Sequence, residues 1–199
     1  MSGPDSVGVT LPAVKLRPAT AADMTAIFEI YKHYTLETVA TFKVTVTSEA
    51  QHVQTLKQVQ SQRLPYIVAV LPGHFREGRE AHDFVAGYAY CSGFRSGKGG
   101  YRHTVELSLY CHPEYRSQGI GTLLLNKLLE VMAAPDNNKE WIEGGNVRGE
   151  DSEVRHIIAC IAVDETGKDS GCGLVHWYEK FGFVQVGHLK KVGHKFDRW

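Results

Sequence analysis

No stretch of this 199-residue chain approaches the ~20 consecutive apolar residues that a membrane-spanning helix needs. Its first fifteen residues lack the apolar centre of a secretory leader. The four cysteines (Cys91, Cys111, Cys160, Cys172) form no CxxC pair, and most sit in or beside apolar stretches, where reduced core thiols are commonest. None of the ten histidines pairs with another at HxxxH spacing. Charge of either sign is not in excess: Lys plus Arg and Asp plus Glu each number 22. A nucleic-acid-binding domain is usually basic overall, so none is expected. These absences point to a cytoplasmic protein with neither membrane nor nucleic acid as partner. With 43% hydrophobic and 22% charged residues, the chain has the makings of one ordinary core.

What is present is a succession of short apolar runs and amphipathic segments. Residues 1–13, rich in Ser, Gly and Pro, read as a disordered lead-in to a single domain over 14–199. A first strand is expected at 14–17. A helix capped at Thr20–Asp23 follows, with Met24, Ile27, Phe28 and Tyr31 at helical spacing. Ser48 and Gln51 form a capping box for a second helix. Strands are expected at 66–70, 84–91, 104–111 and 157–163, with a last one beginning at 183–186. Residues 71–83 read as a surface loop, 92–100 as a turn and 134–155 as a solvated insertion. Helices are expected over 122–132 and over 174–181, the latter closed by Gly182. Strands interleaved with helices around one core give an α/β (α+β) domain.

Two features carry chemistry. In 104–111 the alternation puts Val105, Leu107, Leu109 and Cys111 on one face and Thr104, Glu106, Ser108 and Tyr110 on the other. A carboxylate on so apolar a strand is costly unless it is paired, for instance with Arg102, or used. Directly after that strand come Arg116-Ser-Gln-Gly119-Ile-Gly121 and a Leu-rich helix. Strand, glycine turn and helix start is the arrangement that offers free backbone N–H groups to a phosphate. A dinucleotide fingerprint would need a third glycine at 124, which is Leu124, and no G-K-[ST] of a P-loop occurs.

The turn resembles the [QR]-x-x-G-x-[GA] acetyl-CoA signature of the GNAT acetyltransferases. Other blocks extend the resemblance to the phosphinothricin-acetyltransferase-like branch: Leu16-Arg-Pro-Ala-Thr20, Ala40-Thr-Phe42, Phe94-Arg95, Tyr101-Arg-His-Thr-Val-Glu106, Tyr178-Glu-Lys-Phe-Gly-Phe183 and Val192-Gly-His-Lys-Phe-Asp-Arg-Trp199. The resemblance implies a GNAT fold, in which a mixed, mostly antiparallel sheet with a splayed strand pair is flanked by helices. It implies an enzyme that needs no metal, in agreement with the histidine spacing, and that acetyl-CoA, the co-substrate, lies in the splay with its pantetheine on the main chain of Leu109, Tyr110 and Cys111. Its diphosphate would sit on Ser117, Gln118, Gly119, Ile120, Gly121 and Thr122, beside Arg116. Glu106 would take a proton from the attacking amine, and Tyr178 would return one to the departing thiolate. An amide at Leu109 or Tyr110 is placed to polarise the thioester carbonyl. Phe42, Phe94, Arg95, Tyr101 and Arg102, with Lys98, resemble the region that holds a glutamate-like amine, such as phosphinothricin, methionine sulfoximine or methionine sulfone.

The implied activity is direct transfer in a ternary complex, with Cys111 inert, by an enzyme that is a homodimer. The alternatives are a protein N-terminal or lysine acetyltransferase and a non-catalytic acyl-CoA-binding module. The sequence departs from the family pattern twice. Relatives carry an Asn shortly after the aspartate matching Asp164, whereas here Glu-Thr-Gly-Lys-Asp-Ser-Gly-Cys-Gly follows, with Asp169 or Ser170 as the nearest substitutes. Relatives also continue beyond the Arg-Trp pair, so the final family strand is expected to be absent.

Overall fold

The computed structural model describes residues 14–74 and 82–199; the expected lead-in at 1–13 lies outside the described residues. Five strands form one sheet in sequence order: β1 (Lys15–Pro18), β2 (Tyr66–His74), β3 (His82–Gly93), β4 (Thr104–Cys111) and β5 (His156–Ala159). The first four pair antiparallel, and β5 runs parallel to β4. The helices are α1 (Met24–Glu37), α2 (Glu49–Ser61), α3 (Ile120–Ala133) and α4 (Gly173–Glu179). The mixed α/β sheet with flanking helices is the GNAT arrangement expected from the sequence.

The alternation read in the sequence decides which helix covers which face. Tyr110 packs edge-on against Tyr31 at 5.3 Å and at a tilt against Tyr34 at 5.0 Å, so α1 lies on the face that also carries Glu106 and Ser108. On the opposite face Ile120 and Leu124 of α3 lie against Gly87, and Leu109 and Cys111 approach Gly121. The apolar stripe of α3 (Ile120, Leu124, Leu125, Leu128, Val131) is completely buried there, as 3.6-residue periodicity demands. The start of α1 is fixed by Asp23, which accepts two bonds from the Arg17 guanidinium and one each from the Thr20 amide and hydroxyl. Burial pushes the Asp23 carboxyl up, but these bonds and the Arg17 charge outweigh it and hold the carboxyl below its usual range. The Ser48–Gln51 capping box closes the start of α2 as expected.

Several expected elements are corrected. The loop at 71–83 is shorter: β2 continues to His74, which pairs with His82, over a bulge where Pro72 has no N–H to give the ladder. The rest of that loop lies outside the described residues. Residues 134–155 are not a solvated excursion but a chain of 3-10 turns folded back on the domain, with Ile142 and Asn138 buried. Arg148 ties this segment down by donating to the carbonyls of Gln62, Arg102 and Ser152. The strand expected over 157–163 stops at Ala159, because it diverges from β4 there. The strand expected from 183 does not form: no neighbouring edge takes it up, and Val184 and Val186 are 77% and 95% exposed.

Candidate active site

The divergence of β5 opens the site. β4 and β5 are paired only as far as Leu107 and Ala159, so from Ser108 to Cys111 no strand covers the far edge of β4 among the described residues. Which backbone groups face that edge follows from the ladder on the other side. The Phe94 amide donates to Thr104 and the His112 amide to Ala86, and the register between them is unbroken. Even-numbered residues of β4 therefore bond to β3, and the odd ones face the gap. His103, odd as well, gives its carbonyl to Arg155 and His156 at the head of β5. Leu109 and Cys111 thus present their peptide groups to the gap, whereas the Tyr110 amide, expected there, is turned into the sheet. The Cys111 carbonyl already accepts from the Tyr34 hydroxyl at 2.7 Å, which leaves the Leu109 N–H and C=O and the Cys111 N–H. Tyr34 was not anticipated as a member of the site. Its signal in the sequence is a phenol on the buried stripe of α1, whose polar end must find a partner.

The turn after β4 follows from the same local logic. Ser117 (φ 60°) and Gly119 (φ 85°) are both left-handed, and Gly119 is the N-cap of α3. The first intrahelical bond runs from Leu123 to Gly119, so the amides of Ile120, Gly121 and Thr122 have no partner within the helix. The amides of Ser117, Gln118 and Gly119 likewise donate to no described group. Gln118 and Arg116 brace the turn by donating to the carbonyls of Glu114 and Pro113. The exposed Arg116 guanidinium is close enough to Cys111 and Tyr34 to lower the pKa of both against the stronger effect of burial. These residues fit the diphosphate and pantetheine of a coenzyme: a row of outward amides at the positive end of a 14-residue helix, a cation beside it, and an unpaired strand edge beyond.

Glu106 and Tyr178 stand on opposite faces of the sheet. Glu106 is half-buried, beside Ser108 on β4 and opposite Ser92 on β3. The salt bridge to Arg102 does not form, and Glu106 has no ion pair among the described residues. Arg102 instead donates to the carbonyls of Gly99 and Asp151, the latter in the 134–155 segment. Tyr178, 8% exposed, is wedged between Trp177 and Phe183 beside Cys111 and Cys91 on the α3 face. Burial pushes its phenol up to about 12 and the Cys111 thiol up to about 11, so both keep their protons near neutral pH. The two groups can serve one reaction only across the gap between β4 and β5.

At the end of the β3–β4 hairpin, Phe94 meets Tyr101 edge-on at 5.4 Å and the Arg95 guanidinium lies over both rings, 5.2 and 5.7 Å from their centres. Phe42, half-exposed, makes no ring contact with this cluster; its ring lies against Gly193, and the neighbouring Thr41 hydroxyl meets that of Tyr31, whose ring packs on Tyr110 on the face that carries Glu106. Asp164 accepts from the Thr166 amide and hydroxyl and from Arg198 at 3.1 Å. Asp169 and Ser170 follow in left-handed conformation, with Asp169 within 3.8 Å of His176. No group of metal-ligating side chains occurs among the described residues.

A family model described as "Acetyltransferase (GNAT) family" matches residues 26–148. The chain is 32% identical to a phosphinothricin N-acetyltransferase of Alcaligenes faecalis, over 98% of this chain and 84% of that one. It is 28% identical to an L-methionine sulfoximine/L-methionine sulfone acetyltransferase of Salmonella typhimurium, over 92% and 88% of the two chains. Among solved structures it resembles a GNAT-superfamily phosphinothricin acetyltransferase from Sinorhizobium meliloti in complex with acetyl-CoA. That match has a TM-score of 0.71 and 32% identity, covering 94% of this chain and 83% of the other. The open edge of β4, the outward amides ahead of α3 and these matches lead to one conclusion: the chain belongs to the GNAT family of acetyltransferases.

Proposed function

We propose that the protein transfers the acetyl group of acetyl-CoA to the primary amine of a small amino-acid-like substrate bearing a second anionic or strongly polar group. The observation that carries this reading is the continuity of the uncovered β4 edge with the row of free amides from Ser117 to Thr122. The diphosphate is assigned to the amides and Arg116, and the pantetheine to Leu109 and Cys111. Glu106, half-buried and without an ion pair, accepts the proton of the ammonium so that the free amine can attack. The new C–N bond forms at the thioester carbon, whose oxygen is polarised by the Leu109 amide. The C–S bond then breaks and the sulfur leaves as a thiolate. Tyr178, kept protonated by burial, donates to that sulfur and regains a proton from the one the new amide nitrogen sheds, while Glu106 returns its own to solvent. Arg95, held over Phe94 and Tyr101, supplies the cation for the substrate's second group, in keeping with the substrates in the names of the relatives. An aromatic-backed single cation suits a small anion better than a peptide.

The test is a thiol-release assay with acetyl-CoA and a panel containing phosphinothricin, methionine sulfoximine, methionine sulfone and ordinary amino acids. Turnover of one or more of the first three is expected. Turnover of none, alongside acetylation of a peptide array, would move the assignment to a protein acetyltransferase. Direct transfer makes a further prediction. Because burial holds the Cys111 thiol at about 11, incubation with acetyl-CoA without amine leaves the intact mass unchanged. One added acetyl group on Cys111 would instead require a covalent route.

A further inference from the structure

The C-terminal segment holds a lysine whose surroundings are unusual. Lys195 is 4% exposed, and its ammonium reaches three backbone carbonyls: Thr38 at 2.7 Å, Thr41 at 2.8 Å and Tyr34 at 3.3 Å. An ammonium has three donors, and all three are used. The acceptors are the last turn of α1 and the loop after it, where the negative end of the helix favours a cation. The Phe196 ring lies 4.9 Å from the same ammonium. Lys195 is itself set by a tight turn: its amide and carbonyl both bond Arg198, while Phe196 (φ 51°) and Asp197 (φ 56°) are left-handed without being glycine. Two such residues in a row persist only where the surroundings over-determine them, and strain of this kind gathers at working parts of proteins. Arg198 reaches on to Asp164, in the stretch after β5.

The same segment makes one further contact with the loop after α1. Gly193 lies directly against the Phe42 ring, and a Cβ there would come within 2.5 Å of the ring carbons. On its other side the loop is held by the Thr41 hydroxyl, 2.9 Å from that of Tyr31. The third acceptor, the Tyr34 carbonyl, lies within α1 and is the longest of the three contacts, and the Tyr34 hydroxyl keeps its own bond to the Cys111 carbonyl without Lys195.

We propose that residues 193–198 form a clasp in which Lys195 is a positioning residue: it fixes the loop at 38–42, and with it Phe42, as one wall of the amine-acceptor site. The inference rests on the acceptor reading given under the proposed function. It goes beyond that reading in assigning the turn at 193–198, which touches neither Glu106 nor Arg95, control over acceptor affinity. Lys195 has no proton to exchange in the reaction. Its effect passes through three carbonyls, so it shows in binding of the amine and not of the coenzyme.

The test uses the full chain with Lys195→Met, Lys195→Arg and Gly193→Ala. The last displaces the Phe42 ring without touching the charge, and it keeps the question open to measurement should Lys195→Met fold poorly. In Lys195→Met and Gly193→Ala the KM for the amine is expected to rise by about 10-fold or more, while the KM for acetyl-CoA stays within about 2-fold of the parent. Amide exchange across 38–43 is expected to quicken in Lys195→Met, and Lys195→Arg to recover most of the loss. An unchanged acceptor KM in both variants would overturn the clasp, even if melting temperatures fell, since the segment would then be holding the fold alone. Unchanged exchange at 38–43 in Lys195→Met overturns it as well. Should the parent turn over no amine in the panel, the acceptor reading fails by itself, and the exchange measurement alone then decides the clasp.

Discussion

Glu106→Gln is expected to lower kcat/KM for the amine by on the order of 100-fold or more, while acetyl-CoA binding stays as in the parent. Gln keeps the length and the polar end of the side chain on a half-buried strand, so β4 loses no packing. It loses the ability to take a proton. The sign of the pH dependence separates this role from a structural one. An amino-acid amine has a pKa well above 7, so near neutral pH nearly all of it must be deprotonated on the enzyme before attack. As the pH rises toward that pKa, more substrate arrives as free amine, and the deficit of the variant shrinks. A purely structural loss would be the same at every pH. Initial rates from pH 6.5 to 9.5, with acetyl-CoA saturating, distinguish the two. A parallel pair of profiles, or a variant as fast as the parent, would remove Glu106 from proton transfer.

How far the sequence could be read depended on the range of the interactions. Within one element the patterns carried through. The alternation of 104–111 separated the α3 face from the tyrosine face, the Ser48–Gln51 box began α2, and the glycine turn after β4 presented its amides as a local motif must. Tertiary bonds were beyond reach. Nothing in the composition of 134–155 signals that Arg148 will hold it by the carbonyls of Gln62 and Arg102, because a backbone acceptor has no signature of its own in a sequence. For the same reason the bonds of Arg102 to the carbonyls of Gly99 and Asp151 have no signal in the sequence.

The end of a strand is equally hard to read. The apolar run from Ile157 to Val163 continues past Ala159, but a strand needs a neighbour, and β4 and β5 have parted by then. The parting is what uncovers the outer edge of β4. Lys195 is the extreme case: its acceptors lie more than 150 positions away, and in the sequence it is one charged residue near a chain end.

Gly119→Val is expected to raise the KM for acetyl-CoA by on the order of 100-fold or more while costing the fold little. The reason is conformational. Gly119 holds φ 85° as the N-cap of α3, a left-handed value that a β-branched residue essentially never adopts. Space is not the obstacle, since a Cβ at this position meets nothing within 4 Å. The exposed turn therefore relaxes into another backbone shape, and the amides of Ser117 to Thr122 no longer point to one place. Hydrogen bonds to a charged group are worth about 1.5–3 kcal/mol each, so losing two costs about 3–6 kcal/mol of coenzyme binding. Gly119→Ala grades the effect. Alanine reaches the left-handed region at a cost of about 1–2 kcal/mol, so when binding restores the turn, affinity falls by about 10-fold. The amine KM, measured at saturating acetyl-CoA, should not move in either variant. Calorimetry with coenzyme A reads the effect apart from catalysis. Equal affinity in parent and Gly119→Val would mean that the diphosphate does not lie on this turn, and the assignment of the gap between β4 and β5 to the pantetheine would lose its anchor.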